Sequence, residues 1–290
     1  MDKIGIIGTG MLGRAIAKRL LDLDYNVIVY NRTRSKAQKL AKYGAKVKDS
    51  PKLVAKESER IITVVRDADA VNEICFGKDG VMDGISQGTI IADMSTIDPT
   101  ESKKIAKKFA GKKIQMLDIP VMGGPDVASQ GGLIMMAAGN KSAYNKCSRI
   151  FDSLASERFF LGKNGTAHAV KLSMNLQISM LALAISEGIT LAERTSVDPK
   201  TFLDILNSTY FKTGMSKNKA YKMIKNEFNP TFTLENLAKD LNTITTAAKT
   251  FGITLPITTQ VEKIYEKAKK EGFGKLDYTG ILNYIKKIQK

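Results

Sequence analysis

A glycine-rich turn near the start of the chain places the strongest constraint on its fold. Gly8, Gly10 and Gly13 follow a short apolar run and open a helical pattern over residues 11–23. In such a strand–turn–helix unit the first glycine permits a tight turn, the second lets the backbone approach a pyrophosphate, and the third lets the helix pack closely on the strand. The positive end of the helix dipole favours the bound anion. A second apolar run at residues 26–30 completes the unit, so the pattern predicts dinucleotide binding and not a plain glycine turn.

The end of that second strand indicates which dinucleotide binds. NAD-specific folds usually carry an acidic residue there, which binds the ribose 2′-hydroxyl. This chain instead has Asn31, Arg32, Thr33 and Arg34, with no carboxylate among them. A forked guanidinium group suits the dianionic 2′-phosphate of NADP(H). We therefore expect a preference for NADP(H), with binding of NAD(H) as the alternative if both arginines are only solvated.

The first half of the chain alternates short apolar strands with helical patterns. Candidate strands lie at residues 3–8, 26–30, 45–47, 60–65, 89–93, 114–118 and 132–138. Helical patterns lie between them at residues 11–23, 34–42, 51–56, 67–75, 99–110 and 142–154. This alternation predicts an α/β fold with a doubly wound parallel sheet of the Rossmann type and right-handed crossovers.

The pattern changes near residues 162–165, and beyond this point no convincing strand follows. Residues 166–194 form one helical pattern that would extend about 40 Å. It carries apolar residues on more than one face, which predicts burial in a helical domain or against a partner subunit. Further helical patterns lie at residues 199–207, 214–224, 233–250, 256–270 and 277–288. The sequence thus predicts a dinucleotide-binding domain over residues 1–163 and an all-α domain over residues 164–290, linked by the long helix.

The net charge of +16 raises the question of a nucleic-acid or membrane partner. The lysines, however, are spread along the chain at solvated helical positions, and no nucleic-acid motif or basic tail is present. No apolar run approaches the ~18 residues of a membrane span. We therefore expect neither kind of partner, and we attribute to the charge a long-range attraction for anionic ligands.

The cysteines and the histidine bear on cellular location and on metal binding. Cys75 and Cys147 have no motif spacing and are expected to be free thiols in a reducing cytoplasm. The chain opens directly into a strand pattern without a secretory signal, which also favours a cytoplasmic location. A lone His168 and scattered carboxylates predict no metal site.

Lys171 is the first candidate for a chemical role. It lies near the start of the long helix, with His168 one turn before it and Asn175 one turn after it on a similar face. An ammonium group held by an amide can donate a proton to a carbonyl oxygen. Taken alone, one lysine among many is more often solvated, but the apolar neighbours Val170 and Leu172 favour the functional interpretation.

Two turns that follow predicted strands are candidates for anion binding. Gly123 and Gly124 follow the strand at 114–118 and offer two backbone N–H groups that suit a carboxylate. Thr96 follows the strand at 89–93, at the edge where ligands bind in open α/β sheets. The plain alternatives are an ordinary turn for the glycines and a Ser/Thr helix cap near Thr96.

Lys239 and Asp240, taken alone, are typical of the polar face of an amphipathic helix. Taken together, however, these segments resemble the β-hydroxyacid dehydrogenase family, which includes 3-hydroxyisobutyrate dehydrogenases, tartronate semialdehyde reductases and glyoxylate/succinic semialdehyde reductases. The resemblance covers essentially the whole chain. Besides the glycine turn it rests on DIPVMGG at residues 118–124, GKNGTAHAVKLSMN at 162–175 and FTLENLAKDL at 232–241.

The resemblance implies a role for each matching residue. Lys171 is expected to be the catalytic acid/base, supported by Asn175. The implied substrate-binding residues are Thr96, Met122, Gly123, Gly124, Phe232 and Asp240. The implied cofactor-binding residues are Gly8, Gly10, Met11, Leu12, Gly13, Asn31, Arg32, Thr33, Val65, Thr96 and Lys239. The expected activity is reversible NADP(H)-dependent hydride transfer between a small carboxylate-bearing hydroxy acid and its aldehyde or keto acid, nearest the semialdehyde reductase branch. The long helix favours a homodimer or homotetramer.

One residue departs from the family pattern. The turn usually reads DAPVSGG, and its serine hydroxyl contacts the substrate; here Met122 occupies that position. A thioether is a weak acceptor and no donor, so a loss of about 1.5–3 kcal/mol of substrate binding is expected. This leaves the substrate open. The alternatives are a reductase of the same fold acting on a different carbonyl or imine, and a non-enzymatic dinucleotide-binding or nucleic-acid-associated protein.

Overall fold

The computed structural model describes residues 3–289. The chain divides into two compact units, Met1–Lys171 and Leu172–Lys290. The domain bounds inferred from sequence, 1–163 and 164–290, stay a prediction, and their outer ends at Met1, Asp2 and Lys290 lie outside the described residues.

The first unit is built on a six-stranded parallel sheet, which confirms the predicted fold class. Its strands are β1 (Lys3–Ile7), β2 (Asn26–Tyr30), β3 (Lys46–Val47), β4 (Arg60–Thr63), β5 (Ile90–Asp93) and β6 (Gln115–Asp118). Their order is β3-β2-β1-β4-β5-β6, so the direction of winding reverses between β1 and β4. In open α/β sheets ligands bind at the carboxyl edge beside such a reversal. The register pairs Ile7 with both Tyr30 and Thr63, so the three strands end together there.

Helices cover both faces of this sheet. They are α1 (Met11–Asp22), α2 (Arg34–Gln38), α3 (Pro51–Glu57), α4 (Ala68–Phe76) and α5 (Pro99–Ala110), with 3-10 turns at Ala41–Tyr43 and Val81–Asp83. Successive strand side chains point to opposite faces: Ile6 packs into one core and Ile7 into the other. The expected helix over 34–42 is shorter because a 3-10 turn follows it and ends at Gly44, which has φ +98°.

A second, three-stranded sheet corrects part of the predicted layout. It consists of β7 (Val121–Met122), β8 (Leu133–Ala137) and β9 (Ala155–Phe160), with β7 antiparallel and β9 parallel to β8. The strand expected at 132–138 therefore belongs to this sheet and not to the main one. The sequence did not indicate β9, because the run ASERFF has three consecutive polar residues at its centre and no alternation of polar and apolar residues. The helices beside this sheet are α6 (Pro125–Ser129), α7 (Lys141–Lys146) and α8 (Ser148–Leu154).

A long helix, α9 (Thr166–Arg194), continues from the first unit into the second. By length and mean hydropathy it meets the criteria for a membrane-spanning helix, which inspection of the sequence did not predict. The central helix of a water-soluble enzyme meets the same criteria, so this is weak evidence for a span. In the single chain Val170, Met174 and Leu191 of α9 are exposed, so its apolar residues are only partly covered.

The second unit is helical, and no strand occurs within residues 172–289. Besides α9 it contains α10 (Pro199–Ser208), α11 (Gly214–Asn218), α12 (Ala220–Ile224), α13 (Leu234–Thr250), α14 (Pro256–Lys270) and α15 (Ile281–Lys287), with 3-10 turns at Phe273–Lys275 and Tyr278–Gly280. Leu237, Leu241, Tyr265 and Ile281 are fully buried in its core. The helical pattern expected over 214–224 is interrupted at Lys219.

The side chain of Lys219, the residue at which that helical pattern is interrupted, forms an ion pair with a buried carboxylate. Its ammonium donates to both oxygens of Asp277 at 2.9 Å, and it lies 4.3 Å from the centre of the Tyr278 ring. Asp277 is 3% exposed and also accepts hydrogen bonds from Thr231 and Thr279. Burial acts to raise the pKa of Asp277, but the charge and hydrogen bonding of Lys219, together with the hydrogen bonds from Thr231 and Thr279, outweigh it and hold that pKa below its ordinary value of 3.8.

This ion pair predicts a dependence of stability on pH. Because the folded pKa of Asp277 is depressed, its contribution is present above the unfolded pKa and is lost as the pH falls through the folded pKa. Asp277→Asn should lower the free energy of unfolding at pH 7 by about 3 kcal/mol and weaken the loss of stability below pH ~4. Urea unfolding at pH 7 and pH 3 measures both. Asp204→Asn removes an exposed pair with Lys200 and should cost under about 1 kcal/mol; equal effects of the two variants would contradict the prediction.

Candidate functional site

Contacts with the protein's own backbone determine the shape of the glycine turn after β1. Gly8 has φ +100°, and a Cβ there would lie 2.2 Å from the carbonyl oxygen of Val64. A Cβ on Gly13 would lie 2.0 Å from the carbonyl oxygen of Gly8. Both distances are far inside van der Waals contact, so a side chain at either position would push α1 away from the sheet. Packing alone therefore requires the first and third glycines.

Gly10 differs from the other two glycines because it faces open space. A Cβ on Gly10 would meet no atom within 4 Å. Gly10 precedes α1, which begins with Met11 and Leu12 and has no acidic side chain in its first turn. Free backbone N–H groups and the positive end of the helix dipole suit a phosphate at this point. The turn therefore has the shape and charge to hold the pyrophosphate of a dinucleotide.

Asn31 joins the glycine turn to the loop that follows β2. Its side-chain oxygen accepts the N–H of Thr9 at 2.9 Å, and its amide donates to the carbonyl of Thr33 at 3.0 Å. The first hydrogen bond is partly buried and the second is exposed, and together they fix the direction in which the loop leaves the strand. The loop is therefore held beside the glycine turn, where the adenosine ribose of a dinucleotide would lie.

The two arginines of this loop have acidic neighbours that the local sequence did not reveal. Arg32 is 85% exposed, and its guanidinium lies 3.9 Å from the carboxylate of Glu73 on α4. Arg34 forms an ion pair with Asp49. Neither guanidinium is buried, so both are accessible to an anion. The carboxylate of Glu73 would compete with a 2′-phosphate for Arg32.

Val65 and Thr96 lie on neighbouring segments at the carboxyl edge of the sheet. The backbone N–H of Val65 donates to the hydroxyl of Ser95 at 3.0 Å, which links the segment after β4 to the one after β5. A Cβ on Gly8 would lie 3.1 Å from Val65 Cγ1, so Val65 adjoins the glycine turn. Thr96 follows Ser95 and is half-buried. Both predicted residues therefore stand at the edge where a dinucleotide-binding fold holds its ligand.

The ammonium group of Lys171 lies at the turn after β7. Its Nζ donates to the sulfur of Met122 at 3.2 Å. Gly123, next in sequence, has φ +121°, and a Cβ there would lie 2.8 Å from Leu133 Cδ2, so only glycine fits without strain. Gly124 follows at the start of α6. The structure thus brings Lys171, Met122 and the Gly123–Gly124 turn together, with a positive charge beside the turn.

A buried carboxylate fixes the start of α9. Asp118, at the end of β6, accepts hydrogen bonds from Ser102 at 2.6 Å, from the side chain of Asn164 at 2.8 Å, and from the backbone N–H of Gly165. Gly165 has φ +94°, and a Cβ there would lie 2.8 Å from the carbonyl oxygen of Pro99. The helix therefore begins in close contact with α5. Lys171 lies in the second turn that follows.

Predicted residues of the second unit form their own buried cluster. The Asn175 amide donates to Asp240 at 2.6 Å, and Lys239 forms an ion pair with the same carboxylate. Asn175 and Asp240 are 1% and 2% exposed. The ring centre of Phe232 lies 6.1 Å from that of Tyr278. Asn175, Lys239 and Asp240 are thus brought together, whereas Phe232 belongs with the Asp277 network through its backbone.

The sequence analysis missed one group of polar residues at the sheet edge. Asp93, Asp118 and His168 are all fully buried and face one another. The sequence singled out His168 only for its spacing to Lys171 and as a lone histidine without a metal-site pattern, Asp93 only as the end of a candidate strand, and Asp118 only as the first residue of the DIPVMGG segment. Burial of a histidine between two carboxylates has no local sequence signal. Within residues 3–289 no group of three His, Cys, Asp or Glu side chains is arranged to hold a metal ion.

Two family models together match almost the entire chain. Residues 3–162 match the NAD binding domain of 6-phosphogluconate dehydrogenase. Residues 165–285 match the NAD-binding domain of NADP-dependent 3-hydroxyisobutyrate dehydrogenase.

Individual proteins are similar over their full lengths. Glyoxylate/succinic semialdehyde reductase 1 of Arabidopsis thaliana is 32% identical over 98% of both chains. The crystal structure of 3-hydroxyisobutyrate dehydrogenase from Salmonella typhimurium has a TM-score of 0.89 at 23% identity, covering 98% of this chain and 100% of that one. A complex of Psf3 with NADP+ and 2-OPP has a TM-score of 0.89 at 22% identity, covering 97% and 99%. The two structures establish the likeness of fold.

Proposed function

This chain belongs to the β-hydroxyacid dehydrogenase family of NAD(P)-dependent oxidoreductases, and on that premise we propose that it interconverts a small hydroxy acid and the corresponding aldehyde or keto acid. The substrate class we propose is of the 3-hydroxyisobutyrate, glyoxylate or succinic semialdehyde type. The similarity to a glyoxylate/succinic semialdehyde reductase supports this choice.

The observation that most supports this proposal is the position of the Lys171 ammonium. It lies against Met122 at the Gly123–Gly124 turn, and a protonated amine beside a carbonyl oxygen can supply the proton that an alkoxide needs. One acceptor of this ammonium is the Met122 thioether, which holds a proton donor only weakly. A substrate oxygen would therefore displace the sulfur readily. In our proposal Lys171 protonates the alkoxide during reduction and accepts the proton back during oxidation.

We propose that the remaining residues of the site orient the substrate and Lys171. The backbone N–H groups of Gly123 and Gly124, with the hydroxyl of Thr96, suit a carboxylate. Asn175 follows Lys171 by one helical turn and is proposed to orient it. Asp240 accepts a hydrogen bond from the Asn175 amide, so we propose that Asp240 acts by orienting Asn175. Phe232 is proposed to contact the apolar part of the substrate.

The proposed cofactor is NADP(H), with NAD(H) as a weaker alternative. When bound, the nicotinamide supplies the hydride. The glycine turn, Met11, Leu12 and Val65 would hold the pyrophosphate and its surroundings, and Asn31, Arg32 and Thr33 the adenosine ribose. Lys239 is proposed to contact the cofactor. The exposure of Arg32 and the absence of a carboxylate directly after β2 support the preference for the 2′-phosphate.

Arg32 and Glu73 are expected to act in opposite directions on cofactor choice. Arg32→Ala should weaken binding of NADPH by about tenfold while changing NADH binding little, because only NADPH carries the 2′-phosphate. Glu73→Gln removes the carboxylate 3.9 Å from Arg32 and should strengthen NADPH binding relative to NADH. Fluorescence titration with both cofactors gives the dissociation constants. Equal effects of Arg32→Ala on the two would remove the case for a 2′-phosphate site.

A substrate panel tests the proposed activity. Semialdehydes, glyoxylate and cyclic imines are each offered at saturating NADPH, and oxidation of NADPH is followed by absorbance. We expect turnover of a carboxylate-bearing aldehyde, together with competitive inhibition by its dicarboxylic analogue. A lack of turnover with every aldehyde and keto acid would overturn the proposal.

A second candidate function follows from Met122. Its side chain offers no hydroxyl to a polar substrate, which favours a reductase of a less polar carbonyl or of an imine. Met122→Ser should shift the ratio of kcat/KM toward short carboxylate substrates by about tenfold if these are the natural class. A variant whose selectivity is unchanged across the panel would show that position 122 does not contact the substrate.

We also propose a homodimer or homotetramer. Support comes from the apolar side chains that the second unit exposes from the last turn of α9 to the segment that follows α10: Leu191, Val197, Ile205, Tyr210 and Phe211. Their removal from water would supply the driving force for association.

A further inference from the structure

Three titratable side chains meet inside the first unit, beneath the residues assigned to chemistry. His168, Asp93 and Asp118 are each 0% exposed. The Nε2 atom of His168 lies 3.7 Å from Asp93 Oδ2 and 3.9 Å from Asp118 Oδ1. His168 is the sole histidine of the chain. The proposed reaction uses none of the three groups, so their burial together needs a separate explanation.

Each carboxylate connects segments that carry predicted site residues. Asp93 Oδ1 accepts from the hydroxyls of Thr63 at 2.6 Å and Ser95 at 2.7 Å, so it fixes the segment leading to Thr96. Asp118 accepts from the Gly165 N–H and thereby fixes the first turn of α9. The imidazole faces both carboxylates from one turn further along the helix. It is therefore the point at which the carboxyl ends of β5 and β6 meet α9.

The polar atoms between these groups are not satisfied by other residues. Asp93 Oδ2 and both ring nitrogens of His168 are buried without a hydrogen-bond partner within residues 3–289. Buried polar atoms of native proteins are nearly always hydrogen-bonded. If the 3.7 Å distance between His168 Nε2 and Asp93 Oδ2 shortened slightly, one hydrogen bond would satisfy both atoms. Burial raises the pKa of Asp93, and a positive charge on His168 would act in the opposite direction.

We propose that His168 is a positioning residue for Lys171: by bridging Asp93 and Asp118 it holds the start of α9 so that the Lys171 ammonium stays at the Met122–Gly123 turn. Lys171 follows His168 by three residues and therefore lies on the same side of the helix. Its contact with Met122 requires that the helix keep both its position and its rotation. The inference rests on the proposed role of Lys171.

The first test needs no substrate. Protein labelled with ¹⁵N-histidine gives the two ring-nitrogen signals of one imidazole, because no other histidine is present. The titratable or charged groups around this imidazole are Asp93 on β5, Asp118 on β6, Lys171 on α9, and Lys103 of α5 beside Gly165. We expect a ring proton that exchanges slowly with water and is lost in Asp93→Asn. A ring proton that exchanges rapidly with water, or a slowly exchanging one that persists in Asp93→Asn, would overturn the inference.

The second test separates positioning from stability. His168→Gln retains a polar side chain and His168→Leu does not. Per folded molecule, counted by NADPH binding, we expect kcat to fall about tenfold in the first and about 100-fold in the second, each at unchanged KM. Ser58→Ala removes another buried hydroxyl of the same unit and should lower Tm without lowering kcat. Wild-type kcat in His168→Leu would overturn the inference. Failure of the proposed function would be recognised separately, as a lack of turnover by the unaltered protein.

Discussion

Replacement of Lys171 by methionine is expected to lower kcat by about 10³-fold while leaving the dissociation constant of NADPH nearly unchanged. The reason is that a positioned proton donor contributes about 10²–10⁴-fold to such reactions, whereas Lys171 is not among the predicted cofactor contacts. Methionine preserves much of the length and apolar stem of lysine, so the contact with Met122 is replaced by apolar packing and the fold is retained.

The measurement for Lys171 combines single-turnover kinetics with NADPH fluorescence titration. Lys163→Met is the matched control, since Lys163 is exposed and precedes the same helix, and the substitution removes the same charge. The control should keep the wild-type kcat. A Lys171→Met protein that retains the wild-type rate would exclude Lys171 as the proton donor, and an equal loss in both variants would point to the net charge instead.

Adding one methyl group to the glycine turn should have different effects at Gly13, where stability falls, and at Gly10, where it does not. Gly13→Ala places a Cβ 2.0 Å from the Gly8 carbonyl oxygen, so α1 must shift away from the sheet. We expect the free energy of unfolding to fall by about 3 kcal/mol, even though the higher helix propensity of alanine contributes ~1 kcal/mol in the other direction. Dinucleotide binding should be lost as well. Gly10→Ala meets no protein atom within 4 Å and should unfold like the wild type.

For Gly10→Ala the expected defect is confined to binding. The new methyl projects into the space where the pyrophosphate would lie, so the NADPH dissociation constant should rise by about tenfold or more. Urea unfolding without ligand and fluorescence titration with NADPH measure the two effects in the same preparations. Wild-type binding by Gly10→Ala would mean that the pyrophosphate does not approach Gly10, and loss of ligand-free stability would contradict the open geometry.

Features determined by neighbouring residues were predictable from the sequence. The glycine turn, the parallel strands and α9 each depend on residue types repeated over a short segment, so pattern and spacing identify them. The family resemblance likewise rests on contiguous motifs, and the family models confirm it.

Features that depend on distant pairs were not predictable in this way. Glu73 reaches Arg32 from another helix, and Asp49 reaches Arg34 from the segment after β3. His168 meets Asp93 only because α9 begins at the carboxyl edge of the sheet. β9 follows α8 directly and groups its polar residues together instead of alternating them, so no turn signal or alternation marks it. Such contacts follow from tertiary packing, which overrides local propensity.

The pairing of β7 with β8 has a consequence for how substrate range can change. Met122 pairs with Ile134, and Val121 with Met135, so main-chain hydrogen bonds fix the backbone at position 122 whatever side chain it carries. Gly123 is fixed separately, by its positive φ and its contacts with Leu133 and Val127. The chain can therefore exchange the side chain beside Lys171 while the turn proposed to hold the carboxylate keeps its shape. Natural selection or protein design could therefore change the accepted substrates by replacing residue 122 alone.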